Sequence, residues 1–127
     1  YTWVGSGGAV LLSVNPYKDI EEVYNEEVMK MHKSIENKPN KWVKPHIYAI
    51  ANDAYDNLVQ QDIDQSILIS GESGAGKTEA TKHCLKFFAK MVGSDSVDQK
   101  ISDKLLASSP LLESFGNAVT IRNNNSS

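Results

Sequence analysis

Cysteine is nearly absent from these 127 residues: Cys84 is the only one. No internal disulfide can form, and no CxxC or Cys/His neighbourhood surrounds it, so it reads as a small helix-packing residue suited to a reducing compartment. A block of one charge is also missing. Thirteen Lys and Arg stand against sixteen Asp and Glu, for a net charge of −3, with the lysines scattered between acids. Nothing therefore marks a nucleic-acid or membrane-binding surface. No apolar run approaches the ~20 residues of a membrane span, and no charged-then-apolar leader precedes a cleavage site. Cytoplasmic is the default expectation. His32 and His46 lack metal-ligand spacing and read as structural.

What is present is globular: 40% hydrophobic and 23% charged residues over the length of one ordinary domain. The chain starts at Tyr1 inside an apolar stretch and stops at Ser127 inside a polar one. It reads as an incomplete piece of one domain, residues 1–127, cut from a longer protein.

The densest chemistry lies at residues 66–78, SILISGESGAGKT. Gly71, Gly76, Lys77 and Thr78 meet the phosphate-loop spacing, between an apolar run at 67–69 that predicts a strand and an amphipathic pattern that predicts a helix. Polyphosphate concentrates negative charge, so a backbone that binds it must curl and turn its N–H groups inward. Gly71, Gly74 and Gly76 supply positive φ and close approach, and Ala75 is the smallest substitute. Lys77 brings a mobile positive charge to the β- and γ-phosphates, while the Thr78 hydroxyl suits a Mg²⁺ that bridges them. A glycine-rich turn with no ligand is the alternative.

Other segments are read by their pattern. Residues 9–14, apolar on both faces and closed by Asn15 and Pro16, predict a strand buried inside a sheet covered on each side. Residues 25–33 predict a helix capped by Asn25, with Val28, Met31 and Ile35 inward; 37–44 is a surface connection. Pro45 as a first helical residue opens a helix whose inner stripe is Ile47, Ile50, Ala51, Ala54 and Leu58, with Tyr48 and Tyr55 at the core edge. After the loop, Ala80, Cys84, Phe87, Phe88 and Met91 share one helix face, and Lys82, Lys86 and Lys90 form a solvated stripe. A break at 93–96, a helix over 97–108 with Ile101, Leu105 and Leu106 inward, a turn at 111–115 ended by Gly116, and a strand over 119–121 follow. The short polar side chains of 123–127 suit either a disordered loop or the lining of a site with amides and hydroxyls.

The loop alone leaves many P-loop enzymes open. NPYK at 15–18, GESGAGKTEATK at 71–82 and LLESFGNAVTIRNNNSS at 111–127 narrow it, for in this order and separation they resemble the myosin motor head, from just before its purine-binding loop to partway through switch I. The resemblance implies an α/β fold: a P-loop NTPase-type strand, loop and helix, part of the mixed sheet with flanking helices of a myosin head. It implies ATP and Mg²⁺ as cofactors. Gly71, Glu72, Ser73, Gly74, Ala75, Gly76, Lys77 and Thr78 would hold the phosphates, with Ser73 near the γ-phosphate. Asn15, Pro16 and Tyr24 would flank the adenine, although the interval to Tyr24 is slightly longer than is usual in the family. Asn123 would contact the phosphates, Ser126 would lie near the attacking water, and Ser127 would be the second Mg²⁺ ligand beside Thr78.

The function so implied is that of an actin-based, cytoskeletal Mg-ATPase motor in the intact protein, with actin filaments and light chains as partners bound through regions beyond this chain. Switch II would also lie beyond it, so the isolated chain is expected to be inactive. A different P-loop NTPase, or an ATP-binding scaffold without catalysis, is the alternative.

Overall fold

The computed structural model of the chain describes residues 1–33, 42–92, 118–120 and 123–126. It divides into two compact units, Tyr1–Leu68 and Ile69–Ser127. The expected helix over 97–108, the breaks at 93–96 and Gly116, the turn at 111–115, Ile35, Ile121, Ser127 and most of the 37–44 connection lie outside the described residues.

The first unit opens on an antiparallel hairpin of β1 (Thr2–Val4) and β2 (Val10–Leu12), with Thr2 opposite Leu12 and Val4 opposite Val10. The strand expected over 9–14 is thus present in part, but its setting is not the expected one. Among the described residues it belongs to a sheet of two strands, and Val10, Leu12 and Val14 are all more than half exposed. Two strands provide one ladder and no covering layers, so an apolar run that would be buried inside a wide sheet stays in solvent here. Trp3 ties the hairpin down by donating its indole N–H to the Val43 carbonyl at 2.8 Å.

A one-turn helix that the pattern does not signal, α1 (Glu21–Tyr24), precedes α2 (Glu26–Lys33). Asn25 caps α2 as expected, its Oδ1 accepting from the Val28 N–H at 2.9 Å. The inner face is rotated from the expected one: Met29 and His32 are buried, whereas Met31 is 46% exposed. In the buried His32 ring, Nδ1 donates to the Val28 carbonyl at 2.8 Å while Nε2 is buried without a hydrogen-bond partner, and the ring lies 4.9 Å from that of His46.

The best-patterned helix is α3 (Ile47–Gln61), and it begins after Pro45 rather than on it. Its N-cap is His46, whose Nδ1 accepts from the Tyr48 N–H at 2.9 Å. The inner stripe holds Ile47, Ala51 and Ala54 as expected, but it runs closer to Tyr48 than to Ile50, and Leu58 is 45% exposed. Tyr48, expected at the core edge, has no exposed surface; its ring centroid lies 4.5 Å from His46 and 6.3 Å from His32. Asp62 ends the helix in the left-handed region, φ 53°, which an aspartate accepts more readily than a branched residue.

The apolar run 67–69, where the first unit ends and the second begins, forms no strand, and Leu68 is 93% exposed. A strand exists only through a ladder, and no described residue pairs with this run. The helix after the loop is α4 (Lys77–Val92). Cys84 and Phe87 are buried, with Ala80, Phe88 and Met91 half-buried on the same side, and Ala89 is buried as well. Of the lysine stripe, Lys86 and Lys90 are exposed, and Lys82 pairs with Glu79 at 3.0 Å, a surface contact of small energetic weight. A second hairpin joins β3 (Ala118–Thr120) to β4 (Asn123–Ser126), with Ala118 opposite Ser126, Thr120 opposite Asn123, and an irregularity between. The asparagine and serine run is therefore a strand rather than a loop. Ladder bonds use main-chain groups, so a polar sequence can pair when a partner strand is adjacent.

Candidate functional site

Residues 71–76 leave the extended segment and enter α4 through a tight turn. The Ala75 N–H donates to the Glu72 carbonyl at 3.1 Å, and the first bond of the helix runs from the Ala80 N–H to the Gly76 carbonyl at 2.9 Å. Gly74 and Gly76 take φ values of 80° and 95°, the second well past the small left-handed well that other residues tolerate. Gly71 does not take the expected positive φ; what a side chain would meet there is crowding. A Cβ at Gly71 would meet the Ala75 Cβ at 3.2 Å and the Lys77 Cγ at 3.9 Å.

Lys77 is the first residue of α4. Its Nζ curls back over the turn and donates to the carbonyls of Gly71 at 2.8 Å and Glu72 at 2.9 Å. The ammonium is thereby held above the loop rather than swinging free. Thr78, next on the helix, is half-buried, while Glu72, Ser73 and Ala75 are exposed. A tight glycine turn at a helix N-terminus with one fixed cation is chemically suited to an anion with several oxygens. Among the described residues no group of three His, Cys, Asp or Glu could hold a metal ion. The Thr78 hydroxyl is a hard oxygen donor of the kind that suits Mg²⁺.

Further along α4, burial lowers the pKa of His83, partly opposed by Glu79 and assisted by Lys86 and Lys82. Burial also pushes the Cys84 thiol up to about 11. A thiol that stays protonated at neutral pH is a packing group, as the sequence implied.

The residues expected at the base belong to the first unit. Asn15 is half-buried, and its Oδ1 accepts from the Tyr17 N–H at 2.9 Å, turning the chain after the exposed Pro16. Tyr17 pays for that turn with a φ of 52°, which is uncommon for an aromatic residue. Tyr24 is half-buried at the end of α1. Its hydroxyl bonds that of Tyr1, and its ring meets those of Tyr1 and Tyr48 edge-on at 6.3 Å and that of His46 at 5.6 Å. The sequence did not signal that Tyr1, His46 and Tyr48 surround Tyr24; the only cue was a histidine placed between a proline and an apolar helix. Asn123 and Ser126 are the first and last residues of β4, and Ser127 is outside the described residues.

The family model described as "Myosin head (motor domain)" matches residues 1–127. The chain is similar to Myosin-1 of Pyricularia oryzae, 48% identical over 128 residues that cover 100% of the chain and 10% of the relative. It is likewise similar to unconventional myosin-Ic-A of Xenopus laevis, 48% identical over 127 residues that cover 100% of the chain and 12% of the relative. Myosin-13 of Arabidopsis thaliana is 44% identical over 128 residues, which are 100% of the chain and 8% of that protein. The chain thus spans about a tenth of the length of the curated relatives it matches. No helix among the described residues is long and apolar enough to cross a membrane.

Proposed function

The chain belongs to the myosin head (motor domain) family, and on that footing we propose that it is the ATP-binding segment of an actin-based motor. The intact protein hydrolyses ATP to ADP and phosphate and couples the reaction to movement on actin filaments. The observation that carries this reading is the Lys77 ammonium held over a glycine turn at the head of α4, in a chain that matches the family from end to end.

The roles follow phosphoryl-transfer chemistry, in which positioning and charge stabilisation do most of the work. The N–H groups of residues 71–78 bind the phosphate oxygens, and Lys77 places its charge between the β- and γ-phosphates. Ser73 and Asn123 contact the γ-phosphate, and Ser126 orients the attacking water. Thr78 and Ser127 would hold a Mg²⁺, which supplies charge neutralisation to the phosphate oxygens when bound. Asn15, Pro16 and Tyr24 flank the adenine. Both compact units belong to a single motor domain of the P-loop NTPase type. The motor is cytoplasmic and cytoskeletal, and its actin and light-chain contacts lie in other parts of the protein. It has no nucleic-acid partner. The isolated chain turns over ATP poorly or not at all.

Incubating the full-length protein with Mg-ATP tests the reading. Release of ADP and phosphate, lost on chelation of Mg²⁺, is the expected result. Tight binding of ATP without phosphate release would instead assign a nucleotide-binding scaffold.

A further inference from the structure

The one-turn helix α1 has no buried residue and no side-chain N-cap. A single turn is too short to persist alone, and its last carbonyls have no partner within the helix. Here they are met from outside. The His46 Nε2 donates to the Val23 carbonyl at 2.7 Å, and the Tyr48 hydroxyl donates to the Tyr24 carbonyl at 3.2 Å. Both donors stand on the N-terminal turn of α3 and are themselves anchored in the core, His46 at 5% exposure and Tyr48 at 0%.

His46 is the joint between the two elements. Its Nδ1 accepts from the Tyr48 N–H and so caps α3, which leaves Nε2 as the protonated nitrogen that reaches Val23. One imidazole in one tautomer thus closes the end of α1 and the start of α3. Moving α1 would strand a buried N–H, so the helix, and Tyr24 with it, is held in one place.

We propose that His46 is a positioning residue for base recognition: together with Tyr48 it fixes the turn that presents Tyr24, and thereby sets how strongly the site prefers a purine nucleoside triphosphate to bare polyphosphate. The inference rests on the reading above that Tyr24 flanks the adenine. Its consequence is selective, because pyrophosphate uses the phosphate loop and has no base to place.

Equilibrium dissociation constants for Mg-ATP and Mg-pyrophosphate are measured on the full-length protein and three variants. His46→Asn keeps a short acceptor suited to an N-cap but cannot span to Val23. Tyr48→Phe deletes only the hydroxyl and keeps the buried ring, so it serves should the first variant fail to fold. Tyr24→Ala removes the base contact itself. His46→Asn is expected to weaken ATP about tenfold and Tyr48→Phe about threefold, with pyrophosphate changed less than about twofold. Combining either with Tyr24→Ala is expected to add nothing further for ATP. The proposal is overturned if both variants leave ATP unchanged, or weaken ATP and pyrophosphate alike, while Tyr24→Ala remains ATP-selective. If Tyr24→Ala is not ATP-selective, the adenine reading of Tyr24 falls and the proposal falls with it.

Discussion

Replacing Lys77 by alanine is expected to lower ATP turnover by the full-length protein about 10²–10³-fold, the loss that follows removal of one preorganised charge-stabilising donor. An ammonium has three N–H donors. Two of them reach the Gly71 and Glu72 carbonyls, which fixes the head over the turn and leaves donor capacity for a phosphate oxygen. Neutral carbonyls orient the charge without cancelling it, so its attraction for phosphate persists. Lys77→Arg should restore little, since a planar guanidinium cannot occupy the same pair of carbonyls as a compact ammonium. Alanine is the best helix former, so α4 should persist and the helical circular dichroism should not change. Single-turnover phosphate release measured on both variants checks the expectation; turnover within about threefold of the parent would remove Lys77 from the charge-stabilising role.

Phe87→Ala is expected to destabilise the domain by roughly 3–5 kcal/mol, the range for truncating a buried aromatic residue. Phe87 has no exposed surface, and it lies on the face of α4 that also buries Cys84. Lys77 and Thr78 begin the same helix, so loosening its packed face should also blur the geometry of the loop. Truncating the half-buried neighbour, Phe88→Ala, should cost distinctly less. Denaturant unfolding of the two variants, followed alongside pyrophosphate affinity, measures both effects. Equal costs for the two substitutions would mean that the packed face of α4 is not centred on Phe87.

The glycine turn was legible because its conformation is local: Gly74 and Gly76 take the positive φ that their spacing implied, and Lys77 folds back on the turn whatever surrounds it. Gly71 does not take the positive φ expected of it; a Cβ there would instead sit tightly against Ala75, at 3.2 Å. The caps show the same contrast. Asn25 announces itself through a short side-chain acceptor, whereas His46 caps α3 with a ring nitrogen that propensity does not flag. Burial was harder to read than helicity. Residues 10–12 look like a core strand by composition but belong to a two-stranded ribbon, and Met31 gives way to His32 on the inner face of α2. Both depend on what packs against the segment, which periodicity does not encode. Pairing is hidden for the same reason: the polar run at 123–126 is a strand because β3 lies beside it.

The most direct test of an actin-based motor is filament gliding over a surface coated with the full-length protein. Filaments are expected to move with Mg-ATP and to halt with Mg-pyrophosphate, and movement should be lost in Lys77→Ala. ATP hydrolysis without any movement, or gliding unaffected by Lys77→Ala, would contradict it.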